Sequence, residues 1–214
     1  MLTLYGDLDS GNVYKVRLLL AQLGIPYCRV DTTQNRGEPQ SAEFRALNPI
    51  GKIPTLVLDD GRMLSESGAV LYYFARDTAL FPPDGWDQAN VLRWMFFEQY
   101  SHEPYIAVNR HWKLHLPAEE QARLAERIAG NHTRGEQALA IMDQQLSENA
   151  WLAARRYTIA DIALYAYTHT AAEGGFDLAA YGGVRRWLDR VRAQPGHIPQ
   201  MREEPGVSVV SWPG

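Results

Sequence analysis

The chain has 214 residues, of which 46% are hydrophobic and 21% charged, a composition that supports a packed core and excludes a largely disordered protein. Its formal net charge of -4 argues against a nucleic-acid partner, because neutralising phosphates favours a basic surface. No apolar run is long enough to span a bilayer, no signal peptide is recognisable, and the single cysteine, Cys28, excludes an internal disulfide, so we expect a cytoplasmic protein without a membrane partner.

The first part of the chain alternates strand and helix patterns. Apolar residues three and four positions apart predict a helix between Ser10, a good capping residue, and Gly24, a typical helix stop. The Asp60-Gly61 pair between two strand-like runs predicts a hairpin. In chain order the predicted elements are the strand LTLY, the helix SGNVYKVRLLLAQLG, the strand IPYCRVDTT, the short helix SAEFRAL, the hairpin IPTLVLDDGRMLS and the helix ESGAVLYYFARD. This order, with short connections, predicts a small mixed four-stranded sheet flanked by helices.

The second part carries helical patterns alone, which follow the turn-rich stretch TALFPPDGWD. Thr158 and Asp161 form a capping box ahead of the apolar IALYAY, and Pro104 within a helical pattern predicts a kink or break. We expect the last segment, REEPGVSVVSWPG, to be an irregular tail, with packing of its apolar VSVV against the body as the alternative. The chain is therefore predicted to consist of an α/β domain (1–78), a linker (79–87) and an all-α domain (88–214).

The Ile53-Pro54 pair opens the first strand of the hairpin. The ordinary interpretation is a proline at a strand start, where the missing ladder donor is tolerated. The alternative is a cis peptide bond, which would turn the Ile53 backbone outward and leave its N–H and C=O available to a peptide-like ligand.

Glu66 and Ser67 begin the last helix of this domain. A helix cap with a favourable first-turn acid is their ordinary explanation. As a ligand site, Ser67 and the first helix amides would hold a carboxylate, and Glu66 would pair with an ammonium. A ligand with both groups on one carbon is an amino-acid terminus.

Ser10 occupies the predicted junction between the first strand and the first helix. Its hydroxyl and the helix amides could stabilise a thiolate, because helix N-termini lower thiol pKa values. No histidine neighbours Ser10 and no G-x-S-x-G pattern is present, so a serine donor is favoured over a serine nucleophile.

Together these stretches resemble the cytosolic glutathione S-transferase family. The similarity spans nearly the whole chain and is carried by LYG, SGNVYKVRLLLAQLGIPY, FRALNPIGKIPTLVLDDGRMLSESGAVLYYFA and TIADIALYAY. It implies a thioredoxin-like first domain, a helical second domain that contributes the electrophile site, a homodimer and a role in detoxification. Position 10 is not a cysteine, which disfavours the cysteine-dependent classes of the family. The resemblance implies a bacterial serine- or asparagine-type member (theta/nu-like), in which Tyr5 is structural.

The resemblance also implies contacts to glutathione, the expected co-substrate. The thiolate would face Ser10 or, as in some bacterial relatives, Asn12. Ile53, before a cis-Pro54, would bind the cysteinyl backbone. Glu66 and Ser67 would hold the γ-glutamyl end, and Lys52 or Gln40 would reach the glycyl end.

An electrophile site is implied in the helical domain. Its candidate residues are His102, Tyr105, Asn109 and Arg110. Their ordinary interpretation is as packing or surface residues of a helix. His111 and His115 share a helical face, but no third ligand has a matching spacing, so we expect a structural pair and no metal.

Three functions are compatible with these residues. The leading hypothesis is a glutathione transferase that activates the thiolate against small hydrophobic electrophiles. The second is glutathione-dependent reduction of a peroxide or a disulfide, and the third is a non-catalytic regulator that reuses the fold. The complete set of predicted glutathione contacts favours retained ligand binding over the regulator.

Overall fold

The computed structural model describes residues 1–213, which divide into two compact units. The first unit combines residues 1–75 with the segment from Pro195 onward, and the second consists of residues 76–194. The first break lies close to the predicted boundary at residue 78. The predicted helical domain 88–214 differs from the structure, because its last segment belongs to the first unit.

The first unit is built around a five-stranded mixed sheet. Its strands are β1 (Leu2–Tyr5), β2 (Tyr27–Asp31), β3 (Thr55–Val57), β4 (Met63–Ser65) and β5 (Ser208–Ser211). They lie in the order β4-β3-β1-β2-β5, with β2 parallel to β1 and β5, and with β3 antiparallel to β1 and β4. The four predicted strands are confirmed, including the hairpin.

Three helices accompany the sheet: α1 (Gly11–Leu23), α2 (Ala42–Leu47) and α3 (Ser67–Ala75). Ser10 caps α1 as predicted, since its Oγ accepts the Val13 N–H at 3.3 Å. Gly24 ends α1 in the left-handed region, at φ 64°, where glycine carries no steric penalty. The buried apolar residues of β1 and α1 meet in one core, which includes Leu2, Leu4, Val13, Val16 and Leu20.

The C-terminal segment forms a strand, so the expected irregular tail is wrong. β5 pairs in parallel with β2, with Val210 opposite Val30, and extends the predicted four-stranded sheet by one edge strand. Trp212 then packs edge-on against Tyr5 and Phe44, with ring centroids 5.9 and 5.6 Å apart. All four residues of β5 are exposed, so its sequence lacks the two-faced alternation that identifies a half-buried strand.

A buried charge on α1 also fixes the C-terminal segment. Arg17 is fully buried and donates to both carboxylate oxygens of Glu204, at 2.9 and 2.8 Å. It further donates to the backbone carbonyls of Gln200 and Arg202, each at 2.6 Å. Breaking a buried ion pair from one side costs about 3–5 kcal/mol. The exposed β5 is therefore supported by an interior contact a few residues earlier in the chain.

The second unit is helical. Its helices are α4 (Gly85–Phe97), α5 (Glu103–His115), α6 (Ala118–Arg123), α7 (Ala125–Glu148), α8 (Ile159–Thr168) and α9 (Gly182–Arg192). The predicted break near Pro104 is confirmed, because a π-helical turn at Glu98–His102 separates α4 from α5 and the proline lies in the first turn of α5. In the described part of the chain, no helix has both the length and the apolar character needed to cross a membrane.

The predicted capping box begins α8, the most deeply buried helix of this unit. The Asp161 carboxylate is fully buried and accepts the Thr158 N–H at 2.9 Å. It also accepts the Leu152 N–H at 3.2 Å and the Trp187 indole N–H at 2.9 Å. One carboxylate therefore links the start of α8 to the preceding loop and to α9.

This carboxylate predicts a pH dependence of stability. Burial raises the pKa of Asp161 to about 6, above its ordinary value of 3.8, although its hydrogen-bond donors oppose the shift. Between about pH 4 and 6 the folded chain keeps a proton on Asp161 that the unfolded chain has released. The contribution of Asp161 to the free energy of unfolding therefore falls as the pH rises from about 4 to 6 and is constant above about pH 6. In urea unfolding, the stability difference between the wild type and Asp161→Asn should shrink across this range by up to about 3 kcal/mol. The exposed Asp177→Asn is the control, and a difference that does not change with pH would contradict the prediction.

Two neighbouring residues before α8 adopt a left-handed backbone without being glycine: Ala154 has φ 52° and Arg155 has φ 53°. This conformation costs a non-glycine residue about 1–2 kcal/mol, whereas glycine loses about 0.5–1 kcal/mol through its freer unfolded state. Ala154→Gly should therefore stabilise the protein by about 0.5–1 kcal/mol in thermal or urea unfolding. Ala150→Gly, at a residue outside the left-handed region, should give no gain, and equal effects of the two substitutions would refute the explanation.

Candidate active site

Ser10 lies between β1 and α1, where two contacts set the backbone. The Ser10 N–H donates to Asp7 Oδ1 at 2.8 Å, and the Asp9 carbonyl accepts the Gln200 amide at 2.7 Å. Burial raises the pKa of Asp7, and the Ser10 N–H opposes this rise. The Ser10 hydroxyl accepts a hydrogen bond as a helix cap and still has its own hydrogen to donate.

Asn12 and Ser67, which are far apart in sequence, are brought together. The Ser67 hydroxyl donates to Asn12 Oδ1 at 3.2 Å, which joins the first turn of α1 to the first turn of α3. The Lys15 ammonium, buried to 1% exposure, donates to the same oxygen at 2.7 Å. The residues predicted for the thiol and for the γ-glutamyl carboxylate are thus neighbours in the structure.

Glu66 precedes α3 in a strained conformation. Its φ of 66° lies in the left-handed region, its side chain is exposed, and its carbonyl accepts the Val70 N–H at 3.0 Å. The first amides of a helix have no acceptor within the helix, so those of α3 are available to an anion. An exposed carboxylate therefore stands beside a set of helix donors.

The loop before β3 carries the Ile53-Pro54 pair, whose peptide bond is cis. Ile53 lies two residues ahead of Thr55, where the pairing with β1 begins. The buried Asn48 side chain organises this loop, because its Nδ2 donates to the Lys52 carbonyl at 3.0 Å and to the Thr55 hydroxyl at 2.7 Å. The loop is held from inside by an amide rather than by packing alone.

Lys52 and Gln40 belong to the same neighbourhood but differ in their contacts. The Lys52 side chain is exposed. The Gln40 amide donates to the Gly51 carbonyl at 2.7 Å, and its oxygen accepts a hydrogen bond from Arg45. Gly51 itself needs to be glycine, since it has φ 65° and an added Cβ would lie 2.9 Å from the Pro39 carbonyl oxygen. Gln40 is thus engaged in holding this loop, whereas Lys52 projects from it.

In the helical unit, three of the four predicted electrophile-site residues are buried and tied to other helices or loops. His102 contacts the Thr168 hydroxyl at 2.9 Å, and the Asn109 amide donates to the Ile128 carbonyl at 3.0 Å. Arg110 donates to a Glu173 carboxylate oxygen at 2.6 Å.

Tyr105, the fourth candidate, is half-buried, with the Arg134 guanidinium 5.3 Å from the centre of its ring. The structure therefore does not gather the four on one open surface. Asn109 and Arg110 lie on the buried face of α5.

Within residues 1–213, no three histidine, cysteine, aspartate or glutamate side chains come close enough together to hold a metal ion. His111 and His115 lie one turn apart on α5, with ring centroids 4.9 Å apart. Cys28 is half-buried in β2.

Two buried polar residues that support the site were missed by the sequence analysis. Lys15 contacts Asn12 from the next turn of α1, and the only sequence signal was its spacing of three residues from Asn12. Asn48 organises the loop before β3, and its position directly after a short helix and before Pro49 reads as a turn residue. Neither signal distinguishes a supporting role from an ordinary helix or turn position.

Two protein-family models match most of the chain. The model of the glutathione S-transferase N-terminal domain matches residues 4–80, and that of the C-terminal domain matches residues 97–195. A crystal structure of a glutathione S-transferase from Pseudomonas fluorescens Pf-5 has a TM-score of 0.90 at 47% identity, covering 94% of this chain and 99% of that one.

Two curated relatives have other functions in their names. The disulfide-bond oxidoreductase YfcG of Escherichia coli K12 is 29% identical over 191 residues, covering 86% of this chain and 87% of YfcG. The transcriptional regulator URE2 of Saccharomyces cerevisiae is 26% identical over 241 residues, covering 94% of this chain and 68% of URE2.

Proposed function

Because the chain belongs to the glutathione S-transferase family, we propose that it binds glutathione as co-substrate and transfers it to small hydrophobic electrophiles. The observation that carries the proposal is the hydrogen bond between Ser67 and Asn12. It brings the start of α3, suited to a carboxylate, next to the start of α1, suited to a thiolate. Glutathione carries both groups on one short peptide.

The peptide would be held along its length. The Ser67 hydroxyl and the first amides of α3 would bind the γ-glutamyl carboxylate, and Glu66 would pair with the neighbouring ammonium. The Ile53 backbone, ahead of Pro54, would pair with the cysteinyl backbone in the manner of an added strand. Lys52, whose side chain is exposed, would reach the glycyl carboxylate. Gln40, already engaged with Gly51, would support that loop.

Activation would follow from donors placed around the sulfur. A free cysteine-like thiol has a pKa near 8.5, so only a few per cent is ionised at neutral pH. The Ser10 hydroxyl, the Asn12 amide and the N-terminus of α1 would favour the thiolate. Lowering the thiol pKa by one to two units corresponds to roughly 1.4–2.7 kcal/mol. We assign the protein on this basis to the serine- or asparagine-type members.

The second substrate would contact few of the residues first considered for it. His102, Asn109 and Arg110 are buried and make contacts within the helical unit, so we propose a structural role for them. Tyr105, which is half-buried, remains the candidate for contact with the electrophile. We further propose a cytoplasmic homodimer, because the family resemblance implies the dimer and a single cysteine suits a reducing compartment.

A specific observation favours a second candidate, reduction of a disulfide by glutathione: the relative YfcG is named a disulfide-bond oxidoreductase. The site offers no cysteine at position 10, so the glutathione thiolate itself would attack the disulfide sulfur and displace the other thiolate. Assays with an aromatic halide, a hydroperoxide and a mixed disulfide separate the two reactions. The similarity to the transcriptional regulator URE2 supports a third candidate, a non-catalytic regulator, which would be inactive in all three assays.

Calorimetric titration with reduced glutathione and with glutathione disulfide tests the binding site. We expect reduced glutathione to bind, and Ser67→Ala to weaken it about 10- to 100-fold, because a hydrogen bond to a charged group contributes about 1.5–3 kcal/mol. Ser65→Ala, in β4, is the matched control and should bind normally. Clearly tighter binding of the disulfide would favour the oxidoreductase, and no binding of either would exclude both enzymes.

Ultraviolet titration of the bound thiolate tests the donors. Ser10→Ala and Asn12→Ala should each raise the thiol pKa, together by about one to two units, because each removes a donor from the anion. Ser41→Ala is a matched control, since Ser41 caps α2 as Ser10 caps α1 but should leave the thiol pKa unchanged. A residue whose alanine variant titrates like the wild type does not contact the thiol.

A further inference from the structure

A buried ammonium on α1 has no place in the functional residues named so far. Lys15 is 1% exposed, and its Nζ lies 2.7 Å from Asn12 Oδ1. Lysine is among the residues most rarely buried, because its charge loses hydration inside a protein. Its position one helical turn after Asn12 puts that charge beside the proposed thiol site.

The chemistry of the donor fixes the orientation of the Asn12 amide. An ammonium can only donate, so the Asn12 atom that faces it must be the amide oxygen and not the nitrogen. The Ser67 hydroxyl reaches the same oxygen at 3.2 Å. Because its oxygen accepts from these donors, the group that Asn12 would turn toward an anion is its Nδ2 amide.

Ligand binding makes Lys15 the more persistent of the two contacts. The Ser67 hydroxyl has a single hydrogen, and the proposed γ-glutamyl carboxylate competes with Asn12 for it. When the carboxylate accepts that hydrogen, Lys15 still holds the Asn12 oxygen. A positively charged donor on an amide oxygen also polarises the amide, which makes its N–H groups stronger donors.

From these contacts we infer that Lys15 is a positioning residue of the active site, which orients and polarises the Asn12 amide toward the thiolate of glutathione. The inference deepens the proposed function and rests on it. Lys15 does not touch the sulfur in this scheme, and its effect passes through Asn12. That distinction separates it from a general contribution of positive charge, which would act whether or not Asn12 were present.

The test is a double-mutant cycle on the pKa of the bound glutathione thiol, measured by ultraviolet absorbance. Lys15→Met should raise this pKa by about half a unit in the wild-type background, no more than Asn12→Ala does, and by much less in Asn12→Ala. Lys15→Arg, which keeps a charged donor, should restore most of the wild-type value. Lys113→Met makes the same change of net charge at an exposed lysine of the helical unit and should have no effect.

The outcomes are distinct. Equal effects of Lys15→Met with and without Asn12, or no effect, would overturn the positioning role while leaving the proposed function intact. A wild-type thiol that titrates like free glutathione would overturn the proposed function and this inference with it. If Lys15→Met does not fold, Lys15→Gln takes its place in the cycle, since it removes the charge, keeps an N–H donor and should raise the thiol pKa by a smaller amount.

Discussion

The candidate site depends on one acceptor, the side-chain oxygen of Asn12. It receives hydrogen bonds from Lys15 on its own helix and from Ser67 on another, so it fixes where the starts of α1 and α3 meet. Both helix starts have amide donors without partners in the helix, and both favour negative charge. A short hydrogen-bond network thus brings together two helix starts whose amides would each favour an anion.

α1 carries buried charge at two neighbouring points, with different consequences. Lys15 faces the site, whereas Arg17 faces the C-terminal segment and pairs with Glu204. Because a buried charge is costly without partners, each cation requires its hydrogen-bond acceptors to stay in place around it. The helix is therefore both a wall of the site and the anchor of the segment that extends the sheet.

The sequence predicts those parts of the structure whose signals are local. The boundaries of α1 follow from Ser10 and Gly24, and the start of α8 follows from the capping box of Thr158 and Asp161, because caps act within one turn. β5 was missed because its residues are exposed on both faces and pair with a strand 180 positions earlier. No pattern within the segment encodes that partner.

The site divides in the same way. Ser10 and Ser67 stand at helix starts, where the sequence marks them, and the cis bond before Pro54 agrees with one of the two interpretations of its motif. The candidates on α5 were harder, because a helical polar residue looks the same in sequence whether it lines a cavity or ties helices together. Asn109 and Arg110 proved to be buried and hydrogen-bonded to other parts of the helical unit.

The discontinuity of the first unit has a consequence for synthesis on the ribosome. The helical unit is one continuous stretch, residues 76–194, and is synthesised in full before β5. Until then, the edge of β2 has no neighbour and Arg17 lacks Glu204, so the first unit waits with an open strand edge and an unpaired interior charge. Residues 1–75 are translated before the helical unit but are completed only after it, so the edge of β2 that receives β5 stays open during synthesis.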